Sequence, residues 1–215
     1  MRRGFFLSFE GLDGSGKTTQ IRKLTAQLES RGHKVTVVRQ PGGTRIGDRI
    51  RQILLDSRTD GLAPLAELGL MFSDRAQAIA EVILPALGAG QIVICDRYTD
   101  STEAYQGGGR QLGSKVILQL HELMCGGLQP DLTILLMPDF AKSLHRARRR
   151  NERNARAGND EGRFEQEAED FYRRVYEKYR EIALRDTGRV AVIEGDDGIE
   201  DVHHQILRIV EDRLR

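Results

Sequence analysis

Five short apolar runs punctuate the chain: GFFLSF at 4–9, KVTVVR at 34–39, QIVIC at 91–95, DLTILLM at 131–137 and RVAVIE at 189–194. Each is rich in Val, Ile, Leu or Phe, and none alternates strictly between apolar and polar residues. Strands of that composition are covered on both faces, as in a parallel sheet. Segments with helical spacing lie between them, at 17–31, 45–56, 64–88, 113–124, 139–151, 165–185 and 198–214. Strand and helix therefore alternate, which predicts an α/β doubly wound sheet with helices on both faces. Turn chemistry agrees: Gly32 follows the first helix, Gly88 and Gly90 follow the third, and Pro130 precedes a strand. No repeat or linker divides residues 1–215, so a single domain is expected. One segment stands apart. Residues 146–163, RARRRNERNARAGNDEGR, mix seven arginines with Asn, Gly and Ala, too polar for a core, and read as a mobile flap.

A chain of 215 residues can bury a core without disulfide or metal staples. Lys plus Arg total 33 against 32 for Asp plus Glu, so bulk charge offers a nucleic acid no attraction and any phosphate binding must come from local charge. Cys95 and Cys125 lie far apart, outside C-x-x-C spacing, and read as buried free thiols. The opening MRRGFFLSFEG has an apolar run too short for a signal peptide, broken by Ser8 and ended by a glutamate. No stretch nears the roughly 18 apolar residues of a membrane helix. A cytoplasmic protein with neither membrane nor nucleic-acid partner is expected.

Behind the first apolar run stands EGLDGSGKTTQ. Gly11 through Thr18 fit G-x-x-x-x-G-K-[ST], with a strand before and a helix after, the setting in which this motif binds a nucleotide. Glycines let backbone N–H groups converge on phosphate oxygens, and the following helix turns its positive end to the same anion. The candidate nucleotide-binding residues are Gly11, Asp13, Gly14, Ser15, Gly16, Lys17, Thr18 and Thr19. Lys17 is placed to reach the β- and γ-phosphates, and the Thr18 hydroxyl to ligate a bridging magnesium ion, so Mg·ATP is the expected ligand. The motif says less about the reaction. No N-K-x-D for guanine is present, and IVICDRYTDS sets Asp96 at a strand end with Arg97 behind it. Asp96 can hold the magnesium shell, while Arg97 can clamp a second phosphate, a pair suited to transfer between two phosphates. A P-loop ATPase or switch remains the alternative from another class.

With FEGLDGSGKTTQ, RQPGGT, DRYTDSTEAYQGGGR, PDLTILL and GRFEQE in this order, the chain resembles bacterial thymidylate kinases over roughly 5–195. The resemblance implies a five-stranded parallel sheet, a dTMP cleft at the strands' carboxyl ends, a lid over ATP and a homodimer built from helix faces. It also implies roles. Asp13 corresponds to the acid that meets the sugar 3′-hydroxyl, Phe72 to the aromatic that stacks on thymine, and Arg75 to the donor for its carbonyl. Thr102 and Gln106 correspond to residues at the base edge, Arg51 and Arg97 to arginines on the monophosphate, and Arg39 with PGGT to a loop beside it. Gln40 and Met137 replace residues that are usually acidic, Gly162 stands where an acid commonly precedes the lid arginine, and the lid is longer than usual. Leu12, Asp13, Gly14 and Ser15 bring no arginine into the anion loop, so the catalytic cation is expected from the lid, with Arg153 and Arg163 as candidates beside Lys17 and Arg97. The implied reaction is γ-phosphoryl transfer from ATP to dTMP, with a kinase of another nucleoside monophosphate or of a nucleoside as the nearest alternative.

Overall fold

The computed structural model describes residues 4–156, 161–164, 167–194 and 197–215, with only the backbone at 148 and 150–156. Strands β1 Phe5–Glu10, β2 Val35–Arg39, β3 Ile92–Asp96, β4 Leu132–Met137 and β5 Val190–Glu194 each begin and end within one residue of the apolar runs. They form one all-parallel sheet in the order β2-β3-β1-β4-β5. Helices α1 Lys17–Ser30, α2 Arg45–Leu55, α3 Pro64–Ala78, α4 Leu84–Gly88, α5 Thr99–Thr102, α6 Ser114–Cys125, α7 Phe140–Arg156, α8 Glu169–Arg185 and α9 Ile199–Leu214 surround it.

Successive side chains of a strand point to opposite faces. Leu7 and Phe9 thus meet Ile21, Leu24 and Leu28 of α1 and Ile206 and Val210 of α9. Phe6, Val93 and Cys95 meet Leu68 and Phe72 of α3 and Ile117 of α6. A third cluster joins Leu135 and Met137 to Phe171, Tyr172, Val175 and Tyr179 of α8. Interior strand β4 is buried throughout, as its unbroken apolar run requires, whereas edge strand β2 is only partly covered.

Three stretches depart from the sequence pattern. The helix expected at 64–88 is interrupted by a π-helix, Ile79–Ile83, just before Pro85, where Leu84 N donates to Ile79 O. A residue without an N–H cannot continue an α ladder, and the wider turn takes up the mismatch. The chain at 99–109, for which no helix is expected, forms α5 followed by a second π-helix, Glu103–Gly109. Glycine disfavours helix, so packing must supply the reason. Asp100 accepts from Arg189 at 2.7 and 3.0 Å, which ties α5 to the start of β5, and α8 lies directly over the glycines. The flap expected at 146–163 is helical as far as Arg156, because α7 continues with Leu144 and Ala147 buried.

A Cβ on Gly109 would come within 2.4 Å of the Phe171 ring. Gly109→Ala should therefore destabilise the fold by about 1–3 kcal/mol through overpacking. Urea unfolding should show an earlier midpoint with an unchanged slope; an unmoved midpoint would mean that Phe171 yields without cost.

Candidate active site

Neighbouring strands β1 and β3 send the chain in opposite directions, β1 toward β2 on one flank and β3 toward β4 on the other. A crevice opens at the carboxyl ends of such a pair. It leads into a cavity of about 740 Å³.

The anion loop forms one end of this cavity. Gly11 (φ +129) carries the chain so close over β4 that a Cβ would lie 2.3 Å from the Leu136 carbonyl oxygen. Gly14 (φ +76) passes α7 at similar range, 2.6 Å from the Ser143 carbonyl oxygen. Gly16 precedes α1 in the left-handed region with no side-chain cap, so the first N–H groups of the helix remain for an anion. Asp13, Gly14, Gly16, Lys17, Thr18 and Thr19 line the cavity. Gly11 and Ser15 support the loop instead: the Gly11 carbonyl accepts from Lys17 Nζ at 3.0 Å and Ser15 Oγ lies 3.4 Å from the same nitrogen. Burial, and then the charge of Arg97, lowers the Lys17 ammonium to about 8.

Asp96 and Arg97 follow at the end of β3 and face the same space. Arg97 has φ +70, a strained value for a non-glycine residue. Three bonds hold it there: Arg97 N donates to Phe9 O at 3.0 Å, Cys95 Sγ donates to Arg97 O at 2.9 Å, and Tyr98 N donates to Glu10 Oε1 at 2.7 Å. The guanidinium is thereby aimed across the loop, at 3.1 Å from both the Gly11 carbonyl oxygen and Asp13 Oδ2. Glu10 is wholly buried and also accepts the Ser101 hydroxyl; burial, and then Asp100, raises its carboxyl to about 7.

At the opposite end the buried Arg75 donates through Nε to Gln40 Oε1 at 2.8 Å and through Nη2 to Thr102 Oγ1 at 2.9 Å. Among the described residues its Nη1 is buried with no partner, as are Gln106 Oε1 and Gln40 Nε2. Such atoms carry a desolvation cost that a bound ligand can remove. Phe72, expected to stack on the base, does not line the cavity. It is fully buried against the sheet and supports Arg75 from behind, its ring centroid 5.1 Å from the guanidinium carbon. Successive helical residues diverge by about 100°, so with Arg75 facing the cavity the residue one turn earlier on that face is Met71, which does line it. The spacing of four between Met71 and Arg75 was the sequence signal for this.

Arg51 forms part of the remaining wall, its Nε and Nη2 on Glu161 at 2.9 and 2.7 Å and its Nη1 on the Pro41 carbonyl at 2.8 Å. Arg39 lines the cavity beside it, 3.5 Å from Asp48. The intervening PGGT turn is held by Asp74, which accepts Gly42 N at 2.8 Å, and by Thr44, whose hydroxyl accepts Gly47 N to cap α2. Helix α7 contributes Arg146 and Arg149. The Arg153 side chain lies outside the described residues. Arg163, expected at the transferring phosphate, is instead buried: it donates to the Leu54 carbonyl at 2.6 Å and pairs with Glu67. A fully buried carboxylate must be compensated, and Arg163 with Arg110 provides the compensation.

The thymidylate kinase family model matches residues 9–206. This chain belongs to the thymidylate kinase family. It is 46% identical to a thymidylate kinase of Pelobacter propionicus over 98% of this chain and 96% of that protein, and 48% identical to one of Desulfovibrio desulfuricans over the same shares. The crystal structure of thymidylate kinase from Ehrlichia chaffeensis superposes with a TM-score of 0.75 at 31% identity, covering 97% of this chain and 99% of that one. Against the thymidylate kinase pattern, the departures at positions 40 and 137 have structural accounts. Gln40 holds Arg75 through a neutral amide, and Met137 is buried in the cluster of Leu12 and Leu135.

Because the ammonium of Lys17 titrates near 8, the free enzyme loses its cation above that pH. ATP affinity should be nearly flat below about pH 7 and fall roughly tenfold between pH 7 and 9, since binding needs the protonated form. Calorimetry across this range tests it. A constant affinity would mean that Lys17 keeps its proton through this range or does not hold the nucleotide's phosphates.

Proposed function

We propose that the protein transfers the γ-phosphoryl group of ATP to an oxygen of the dTMP phosphate, giving ADP and dTDP. The observation that carries this reading is a single cavity with an anion loop at one end and, at the other, buried polar atoms that have no partner among the described residues, two of which matter here. Those two are a donor (Arg75 Nη1) and an acceptor (Gln106 Oε1), the complements of thymine O4 and N3–H.

Lys17 and the N–H groups at the start of α1 bind the triphosphate. Met71 provides an apolar surface for the base, and Asp13, within reach of Arg97, provides an acceptor for a sugar hydroxyl. Arg51, with Arg39 nearby, exchanges the Glu161 carboxylate for the monophosphate, and Arg97 stands between the two anions. An oxygen of the monophosphate attacks Pγ, a new P–O bond forms, and the bond to the ADP β-phosphate oxygen breaks. The attacking oxygen is already anionic at neutral pH, so no general base is needed. Catalysis is positioning plus stabilisation of charge on the transferring group. Thr18 and Asp96 line the cavity beside the loop, a hydroxyl and a carboxylate that suit Mg²⁺ held mostly by phosphate and water oxygens. When bound, the ion neutralises charge on the β- and γ-oxygens.

A homodimer belongs to the same reading. Ile46 and Ile53, seven residues apart on one face of α2, and Leu65 at the start of α3 are exposed apolar side chains that a partner would cover, and sedimentation would read twice the chain mass. A cytoplasmic location is also proposed; among the described residues no helix is long and apolar enough to cross a membrane.

ADP formation from ATP should depend on dTMP in a panel with dUMP, dCMP, UMP, dGMP and thymidine. Hydrolysis indifferent to every acceptor would point to an ATPase. Of the lid arginines with described side chains, Arg146 and Arg149 line the cavity. Alanine at one of them should lower turnover at least about tenfold with little change in dTMP affinity, as expected for a contact made mainly in the transition state. Wild-type turnover in both single variants and the double variant would exclude these two as the catalytic cation.

A further inference from the structure

Glu67 is fully buried at the first turn of α3, and its two oxygens receive four donors. Oε1 accepts Gln106 Nε2 at 2.8 Å and Arg110 Nε at 3.2 Å, while Oε2 accepts Arg110 Nη2 at 3.2 Å and the Arg163 guanidinium. A carboxylate flanked by two guanidinium groups can only accept. The Gln106 amide must therefore turn its NH₂ toward Glu67, because the opposite orientation would set two acceptors against each other. Its Oε1 is left buried at the cavity wall, without a partner among the described residues.

We infer that Glu67 is a specificity-determining positioning residue, which holds the Gln106 amide in the one orientation that accepts from the N3–H of a thymine-type base and rejects cytosine. This rests on the reading that the base lies against Gln106 and Arg75. A free glutamine could serve either base, since it can donate or accept. Held by Glu67 it can only accept, whereas N3 of cytosine is itself an acceptor. Arg75, held by Gln40 and Thr102, presents a donor to the neighbouring position, where cytosine carries an amino group. Both contacts therefore favour thymine or uracil. Arg163 adds a second consequence: the residue that follows the lid acid Glu161 by two completes the charge cluster that orients the base reader.

The test compares dTMP with dCMP in the full chain, measuring KM and kcat for dTMP and the inhibition constant of dCMP against it. Glu67→Gln gives Gln106 a neighbour that can donate as well as accept. The dTMP KM should rise about tenfold with kcat within about twofold, and the preference for dTMP over dCMP should fall at least tenfold, the loss of roughly one hydrogen bond of discrimination. Gln106→Ala separates the two levels of inference. If it leaves the dTMP KM unchanged, the base does not lie against Gln106 and the underlying reading fails. If it raises KM while Glu67→Gln keeps the wild-type preference, or weakens dTMP and dCMP equally, Glu67 is only a structural acid and the inference is overturned. Should Glu67→Gln fail to melt cooperatively, Glu67→Asp keeps a carboxylate for the two arginines while withdrawing it by one carbon from Gln106. The same fall in preference is expected of it, and an unchanged preference would overturn the inference.

Discussion

The carboxylate of Glu10 ends the central strand beneath the anion loop and accepts the Tyr98 amide at 2.7 Å together with the Ser101 hydroxyl. Those bonds fix the turn after β3 in the left-handed conformation that Arg97 needs to point across the loop. Arg97 in turn contacts Gly11 and Asp13, so the two halves of the site are registered through one buried acid. Burial raises its carboxyl to about 7, which places a real cost at the centre of the fold. Strain and desolvation of this kind persist only where the surroundings over-determine them, and they concentrate where orientation matters more than stability.

A formal net charge of +1 conceals how the charges are placed. Lys17, Arg39, Arg51, Arg75, Arg97, Arg146 and Arg149 converge on one cavity, opposed by Asp13, Asp96 and Glu161. Two phosphate-bearing ligands would restore the balance. Glu161 meanwhile occupies the Arg51 fork much as a monophosphate could, at 2.7 and 2.9 Å. At the end proposed to receive the base the arrangement is different, because there each polar group is oriented by another: Gln40 and Thr102 hold Arg75, and Glu67 holds Gln106. That difference follows from chemistry. Phosphate recognition tolerates mobile cations, whereas reading a base edge requires each donor and acceptor to be fixed in sense.

Two residues expected at the site lie away from the cavity, for the same reason. Phe72 and Arg163 were assigned roles from residue type and motif position, which carry no information about which way a side chain points. One position along a helix turned the cavity-facing role from Phe72 to Met71. For Arg163 the deciding factor was Glu67, nearly a hundred residues earlier, whose buried charge requires cations. Conversely, Tyr105 and Ser101, whose hydroxyls accept from the Arg97 guanidinium at 3.3 and 3.0 Å, and Glu10, which holds the following amide, lie within the quoted motifs, yet nothing in their spacing marks them as the groups that brace Arg97.

Periodicity and punctuation were enough to determine the five strands, their parallel order of burial and the anion loop, because these depend on local rules: continuous apolar runs, glycines at positive φ and a helix start behind them. Membership of the family follows from motifs in sequence order. The π-turn through Glu103–Gly109 was not legible, since glycine propensity argues against it and only the packing of α8 imposes it. Neither was the sense of the Gln106 amide, which depends on a carboxylate brought near by folding. Local rules determine where the chain bends and what it buries; the direction in which a polar group is presented is a matter of its neighbours in space, and only the tertiary structure decides those.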